Sequence, residues 1–80
     1  MIIKVLGPDG STGQELERHV NQALSELDMD ATVTKVTDYA EIAKYVMMTP
    51  GVVIDGKVYH EGKPLPTTEQ IKGWLRAIGK

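Results

Sequence analysis

Residues 49–60 read Thr49-Pro50-Gly51-Val52-Val53-Ile54-Asp55-Gly56-Lys57-Val58-Tyr59-His60. An Asp-Gly pair between two short apolar runs is a strong hairpin signal, because both central residues of the favoured turn need positive φ. The stretch predicts two antiparallel strands, 51–54 and 57–60. Pro50 sets where the first begins, since a helix arriving from upstream cannot run through it. Just upstream, Asp38 with Glu41 three residues on predicts a short capped helix, with Ile42, Ala43 and Val46 facing inward. Met47 and Met48 are expected to fill the core beneath the Pro50 loop; the alternative is an adaptable contact surface for a partner.

Further outward, residues 31–37 (ATVTKVT) alternate and are β-branched, which predicts a strand nearer an edge than the first. Leu16, Val20, Ala23, Leu24 and Leu27 recur on one face of a 3.6-residue period and predict a helix. Ser11 with Gln14, or Thr12 with Glu15, fits a capping box at its start, and Glu15 and Glu17 bring negative charge toward its positive end. Asp28-Met29-Asp30 ends it. Residues 1–6 (MIIKVL) are apolar on both faces except for Lys4, as a central strand is, and Gly7-Pro8-Asp9-Gly10 stops them. Downstream, Gly62 to Pro66 form a loop. A last helix starts near Thr67 or Thr68, with Ile71, Trp74, Leu75 and Ile78 as its buried stripe. A strand, a helix and a strand make a right-handed parallel unit. The whole order is β-α-β-α-β-β-α.

Eighty residues, 41% of them hydrophobic, suffice for one compact domain, 1–80. Nine Lys/Arg against eleven Asp/Glu leave a net charge of −2, with both signs scattered. A nucleic-acid footprint or a polybasic membrane patch needs clustered positive charge, so neither partner is expected. No apolar run exceeds four residues, too short to span a bilayer. Cysteine is absent, which removes disulfides, thiolate zinc sites and thiol nucleophiles at once. A signal-free, disulfide-free chain is expected in the cytoplasm. His19 and His60 have no shared metal spacing, so neither metal nor cofactor is expected. Tyr39, Tyr45 and Tyr59 are too separated for base stacking. Trp74 reads as a core or half-buried residue.

The element order, with a proline just before the third strand, is similar to a minimal thioredoxin-like fold. It most resembles the small redox-active disulfide proteins of archaea and bacteria. The stretches that carry the resemblance are IIKVLG, QELE, ALSELDMDATVTKVTD, EIAKY, TPGVVIDGKV, EGK and EQIKGWL, which span nearly the whole chain. The implied architecture is α/β, a four-stranded mixed sheet flanked by helices. Residues 45–49 look one residue shorter than the family pattern, and residues 63–66 one longer.

In that family the first strand runs into a Cys-x-x-Cys loop. Aligned on Gly7 and on Gln14-Glu15-Leu16-Glu17, the two cysteine positions fall on Gly10 and Gly13. The family's Thr-Pro motif falls on Thr49-Pro50, with a cis-proline that faces the active loop. Thiol–disulfide exchange requires a thiolate. The hydroxyls of Ser11 and Thr12 cannot supply one, so no catalytic residue is assigned. What the resemblance leaves is recognition. Thr49 would pair its backbone with an extended peptide or partner protein, Pro50 would orient it, and Gly10, Ser11, Thr12 and Gly13 would form the rim. Three alternatives stand beside this. The first is an oxidoreductase whose thiols have been lost or engineered away, and the second a purely structural module in which Pro50 only ends a helix and starts a strand. In the third, Gly7, Gly10 and Gly13 before a helix offer N–H groups to a phosphate, against which Asp9 and Glu15 count. A glutathione site would want Gly-Gly-x-Asp after the hairpin, where Glu61-Gly62-Lys63-Pro64 stands.

Overall fold

The computed structural model describes residues 1–7 and 10–79, for Gly10 and Ser11 the backbone only. The Pro8-Asp9 part of the first turn, and Ser11 as a capping or rim side chain, lie outside the described residues. The elements are β1 (Ile2–Leu6), α1 (Gly10–Glu26), β2 (Thr32–Val36), α2 (Tyr39–Ala43), β3 (Gly51–Ile54), β4 (Lys57–Glu61) and α3 (Thr68–Ile78). The sheet order is β2-β1-β3-β4. β1 runs parallel to β2 and antiparallel to β3, and β3 pairs antiparallel with β4. This mixed sheet with three helices is the thioredoxin-like architecture expected from the sequence.

Alternation along the strands divides the core. Ile3, Val5, Val52 and Ile54 meet Leu16, Val20, Ala23 and Leu24 of α1 and Ile71 and Leu75 of α3. Leu6 and Val53 point the other way, onto Ile42 and Val46. Each fully buried Leu, Ile or Val contributes about 1.5–3 kcal/mol. Thr67 caps α3 through a complete capping box: its hydroxyl accepts from Gln70 N–H at 3.1 Å, and the Gln70 side chain accepts from Thr67 N–H at 2.9 Å. Lys72 then ties α3 to α1, donating to Glu26 at 2.7 Å and to Glu69 at 3.2 Å.

The hairpin turn has φ of 50° at Asp55 and 86° at Gly56, as the Asp-Gly pair requires. Asp55 also clamps the start of β1. Its carboxylate accepts from Ile2 N–H at 2.8 Å and its own N–H donates to Ile2 C=O at 2.9 Å. One irregularity lies between Val52 and Val53, where the register slips so that Val53 faces Val58 but Val52 faces His60. Tyr59 is the extra residue. Its ring and that of His60 both reach Trp74, with centroids 5.8 and 6.3 Å away.

Three local expectations are corrected. α1 begins at Gly10, so Ser11 and Thr12 stand inside its first turn and neither is its N-cap. Glu15 and Glu17 lie beyond that turn, too deep to meet the free N–H groups; Glu15 instead pairs with Arg18 and His19. The end of the helix is as expected from Asp28-Met29-Asp30: it stops at Glu26, Asp28 takes a left-handed φ of 53° and Met29 N–H reaches back to Leu24 C=O at 2.9 Å. That is the closing bond of a Schellman turn, with Asp in glycine's usual place. Ala43 is exposed, because the five-residue α2 turns only Ile42 fully inward.

Candidate functional site: the groove beside Thr49

Register brings the two candidate loops together. Leu6 pairs with Gly51, so the chain leaves β1 at the end of the sheet where Pro50 enters β3. Neighbouring strands lie about 4.8 Å apart. Gly7 N–H donates to Val36 C=O at 3.0 Å, and the place of a Cβ on Gly7 lies 3.8 Å from Gly13 Cα. The start of α1 therefore packs directly on the end of β1. Gly13 is buried, and a Cβ there would sit 3.4 Å from Lys35 Cε. Thr12, beside it, is half-buried.

Pro50 is fully buried and Thr49 half-buried, and the peptide between them is cis, as is Lys63–Pro64. The Thr49 loop is anchored on both sides. The Glu61 carboxylate accepts from Met47 N–H at 2.5 Å and from Met48 N–H at 3.2 Å. Gly62 N–H donates to Pro50 C=O at 2.8 Å. Between these anchors, the N–H and C=O of Thr49 take no hydrogen bond among the described residues.

Beside Thr49 opens a groove of about 320 Å³, lined by Tyr39, Ile42, Ala43, Val46, Met47 and Thr49. It is mostly apolar. Glu41 and Lys44 form an ion pair of 2.9 Å on the adjoining surface of α2, and that bond, the largest cause, raises the Lys44 ammonium above its ordinary value. Lys4 is likewise raised, by the 2.9 Å bond its ammonium makes to the Tyr45 hydroxyl.

The methionines are not core filler. Met47 is 95% exposed and Met48 62%, so the alternative placement, on the surface, is the one observed. Their backbone N–H groups are both taken by the exposed Glu61 carboxylate, which holds this segment at the surface. In the sequence Glu61 is named only in setting aside a glutathione site, and Tyr39, Ile42, Ala43 and Val46 are given no part in a groove. The only available signal for Glu61 was its place just past the hairpin, and the register slip that brings it opposite Gly51 has no clear mark in the residues.

The histidines hold the loop after β4. His19 Nδ1 donates to Pro66 C=O at 3.0 Å, while His60 Nε2 is shared between the carbonyls of Gly62 at 2.7 Å and Pro64 at 3.0 Å. No group of three or more His, Cys, Asp or Glu that could hold a metal occurs among the described residues. Among the same residues, no helix is long and apolar enough to cross a membrane.

Comparison with known proteins agrees with this geometry. Residues 1–76 match the family model for the thioredoxin domain. The chain is 38% identical over 77 residues to a protein named thioredoxin from Methanocaldococcus jannaschii, across 96% of this chain and 88% of that one. A sheet of this order, a threonine–proline pair at the mouth of β3 and a match over nearly every residue converge: the chain belongs to the thioredoxin family.

Proposed function

We propose that this thioredoxin-family domain binds an extended segment of a partner protein along Thr49, and does so without thiol–disulfide exchange. The observation that carries the reading is the Thr49 backbone, whose donor and acceptor are unpaired among the described residues while Met47, Met48 and Pro50 are fixed around it. Backbone groups in a half-buried position favour a partner, and an extended chain supplies one in strand fashion. Successive side chains of that segment point to opposite sides, so an apolar one can enter the 320 Å³ groove while its neighbours face out. Gly10, Ser11, Thr12 and Gly13 belong to the same end of the sheet and form the proposed rim. Exchange chemistry is left out of the reading because these 80 residues contain no sulfur able to become a thiolate. A net charge of −2 without a basic cluster favours protein over nucleic acid or membrane as the partner. Cytoplasmic placement is part of the same proposal.

Selection of displayed random peptides on the immobilised protein tests this. Ala43→Glu puts a charge on an exposed wall of the groove and should fold normally. It is expected to weaken selected peptides roughly tenfold, equivalent to about 1.4 kcal/mol. Peptides that bind the variant as tightly as the parent would place recognition elsewhere.

A second reading, the oxidoreductase, is favoured by the name of the M. jannaschii relative. On this chain it requires sulfur from another molecule. Insulin reduction with dithiothreitol separates the two, since turnover by the chain alone would overturn the first.

A further inference from the structure

We propose that Met47 and Met48 form a reversible sulfoxidation site that switches the groove wall between apolar and polar. The chain has four methionines and no cysteine, so its oxidisable sulfur lies in thioethers. They are not equivalent. Met47 is 95% exposed and Met48 62%, against 36% for Met1, and Met29 is half-buried against the main core. Thioether oxidation follows exposure, so the adjacent pair is the first target.

Position gives the modification a consequence. Met47 lines the groove together with Ile42 and Val46. Met48 lies against Gly62, its Cε 3.5 Å from where a Cβ there would stand. The backbone beneath both residues is pinned by Glu61, so an oxidised side chain changes the rim without releasing the loop. In the step itself a sulfur lone pair attacks one oxygen of a hydroperoxide. The O–O bond breaks, an S–O bond forms, and the other oxygen leaves as alcohol or water with the proton. Sulfur loses two electrons and the peroxide gains them. Reversal takes a sulfoxide reductase and a dithiol, which becomes a disulfide while the oxygen leaves as water. An apolar, flexible group becomes a polar one at the edge of an apolar groove. None of this depends on a peptide binding there.

The test is peroxide titration of the folded full chain followed by tryptic mass spectrometry. Residues 45–57 carry Met47 and Met48, residues 19–35 carry Met29, and residues 1–4 carry Met1. One-oxygen and then two-oxygen products are expected on 45–57 while 19–35 is still unmodified. Oxidation of Met29 at the same rate as Met47 would overturn the site. In parallel, the methyl resonances of Ile42 and Val46 should shift on oxidation and return after treatment with methionine sulfoxide reductase and dithiothreitol. Met47→Leu should abolish most of that shift. Methyl resonances that stay unmoved in the oxidised protein, or move equally in Met47→Leu, would refute the switch.

Discussion

Gly51→Ala adds one methyl group at the first residue of β3, directly after Pro50. The added Cβ would lie 3.1 Å from Val46 Cγ1, 3.3 Å from Val46 Cγ2 and 3.3 Å from the His60 carbonyl oxygen. Two of those atoms belong to a valine only 4% exposed and packed with Leu6, Ile42 and Val53, and the third is fixed in the β3–β4 ladder. Neither neighbour gives way freely. Overpacking of this kind costs about 1–3 kcal/mol. Against it stands the gain of about 0.4–1 kcal/mol that alanine brings by restricting the unfolded chain where its native φ is compatible. A net loss of about 1 kcal/mol follows, and for a domain of this size that lowers Tm by about 4–8 °C. Gly73→Ala is the internal reference, because that position is inside α3 and nothing lies within 4 Å of an added Cβ. It should gain about 0.5–1 kcal/mol. Urea denaturation of the two variants side by side reads opposite signs, and resonances of Val46 should move in Gly51→Ala alone. A Gly51→Ala protein as stable as the parent, with Val46 undisturbed, would refute the packing argument at the groove wall.

Three further outcomes are expected. Asp55→Ala loses both the left-handed preference of Asp and the acceptor for Ile2 N–H, and should cost about 1–2 kcal/mol, whereas Asp55→Asn should stay near the parent in the same denaturation assay. The Lys72–Glu26 pair predicts a pH signature. Hydrogen bonds from Lys72 and then Gln22 hold the Glu26 carboxyl below its ordinary 4.5, so its contribution is complete above that value and fades as pH falls through the lowered one. Hydrogen bonds to Glu26 and Glu69 hold Lys72 above its ordinary 10.5, so its contribution is complete below that value and fades as pH rises through the raised one. Lys72→Met should lower stability at neutral pH, modestly because the partner carboxylates are open to solvent, and by the same loss flatten both limbs of the stability curve; unchanged limbs would contradict the linkage. Finally, Gly10→Cys with Gly13→Cys puts two thiols three residues apart at the start of α1, where Gly13 meets only the flexible Lys35 stem. That double variant should form an internal disulfide and reduce insulin, while the parent gives no turnover.

Much of the architecture was legible because local and global signals agree. Asp55-Gly56 states its own turn, Thr67 with Gln70 states its cap, and the apolar residues of α1 and α3 repeat at helical spacing. The start of α1 differs from the expectation because two hydroxyl residues compete as caps and the helix begins ahead of both, at Gly10. Thr49 and Pro50 were accessible as candidates through family likeness alone; nothing in their local pattern distinguishes a proposed binding edge from a helix stop. Glu61 was hidden for a different reason. A regular ladder from the two-residue turn would set Gly51 opposite His60, and a single extra residue, Tyr59, moves Glu61 there instead. That slip decides which acid secures the loop. Met47 and Met48, which hydrophobicity alone assigns to the core, stand exposed beside it.

Recognition along Thr49 requires its backbone to be an open pairing edge, and hydrogen exchange reads that edge directly. In the free protein the Thr49 amide should exchange faster than those of Met47 and Gly62, which are hydrogen-bonded. With a selected peptide bound, it should become protected to the level of its neighbours. A Thr49 amide already protected in the free protein, or one whose exchange is unchanged while peptide is bound, would contradict the account.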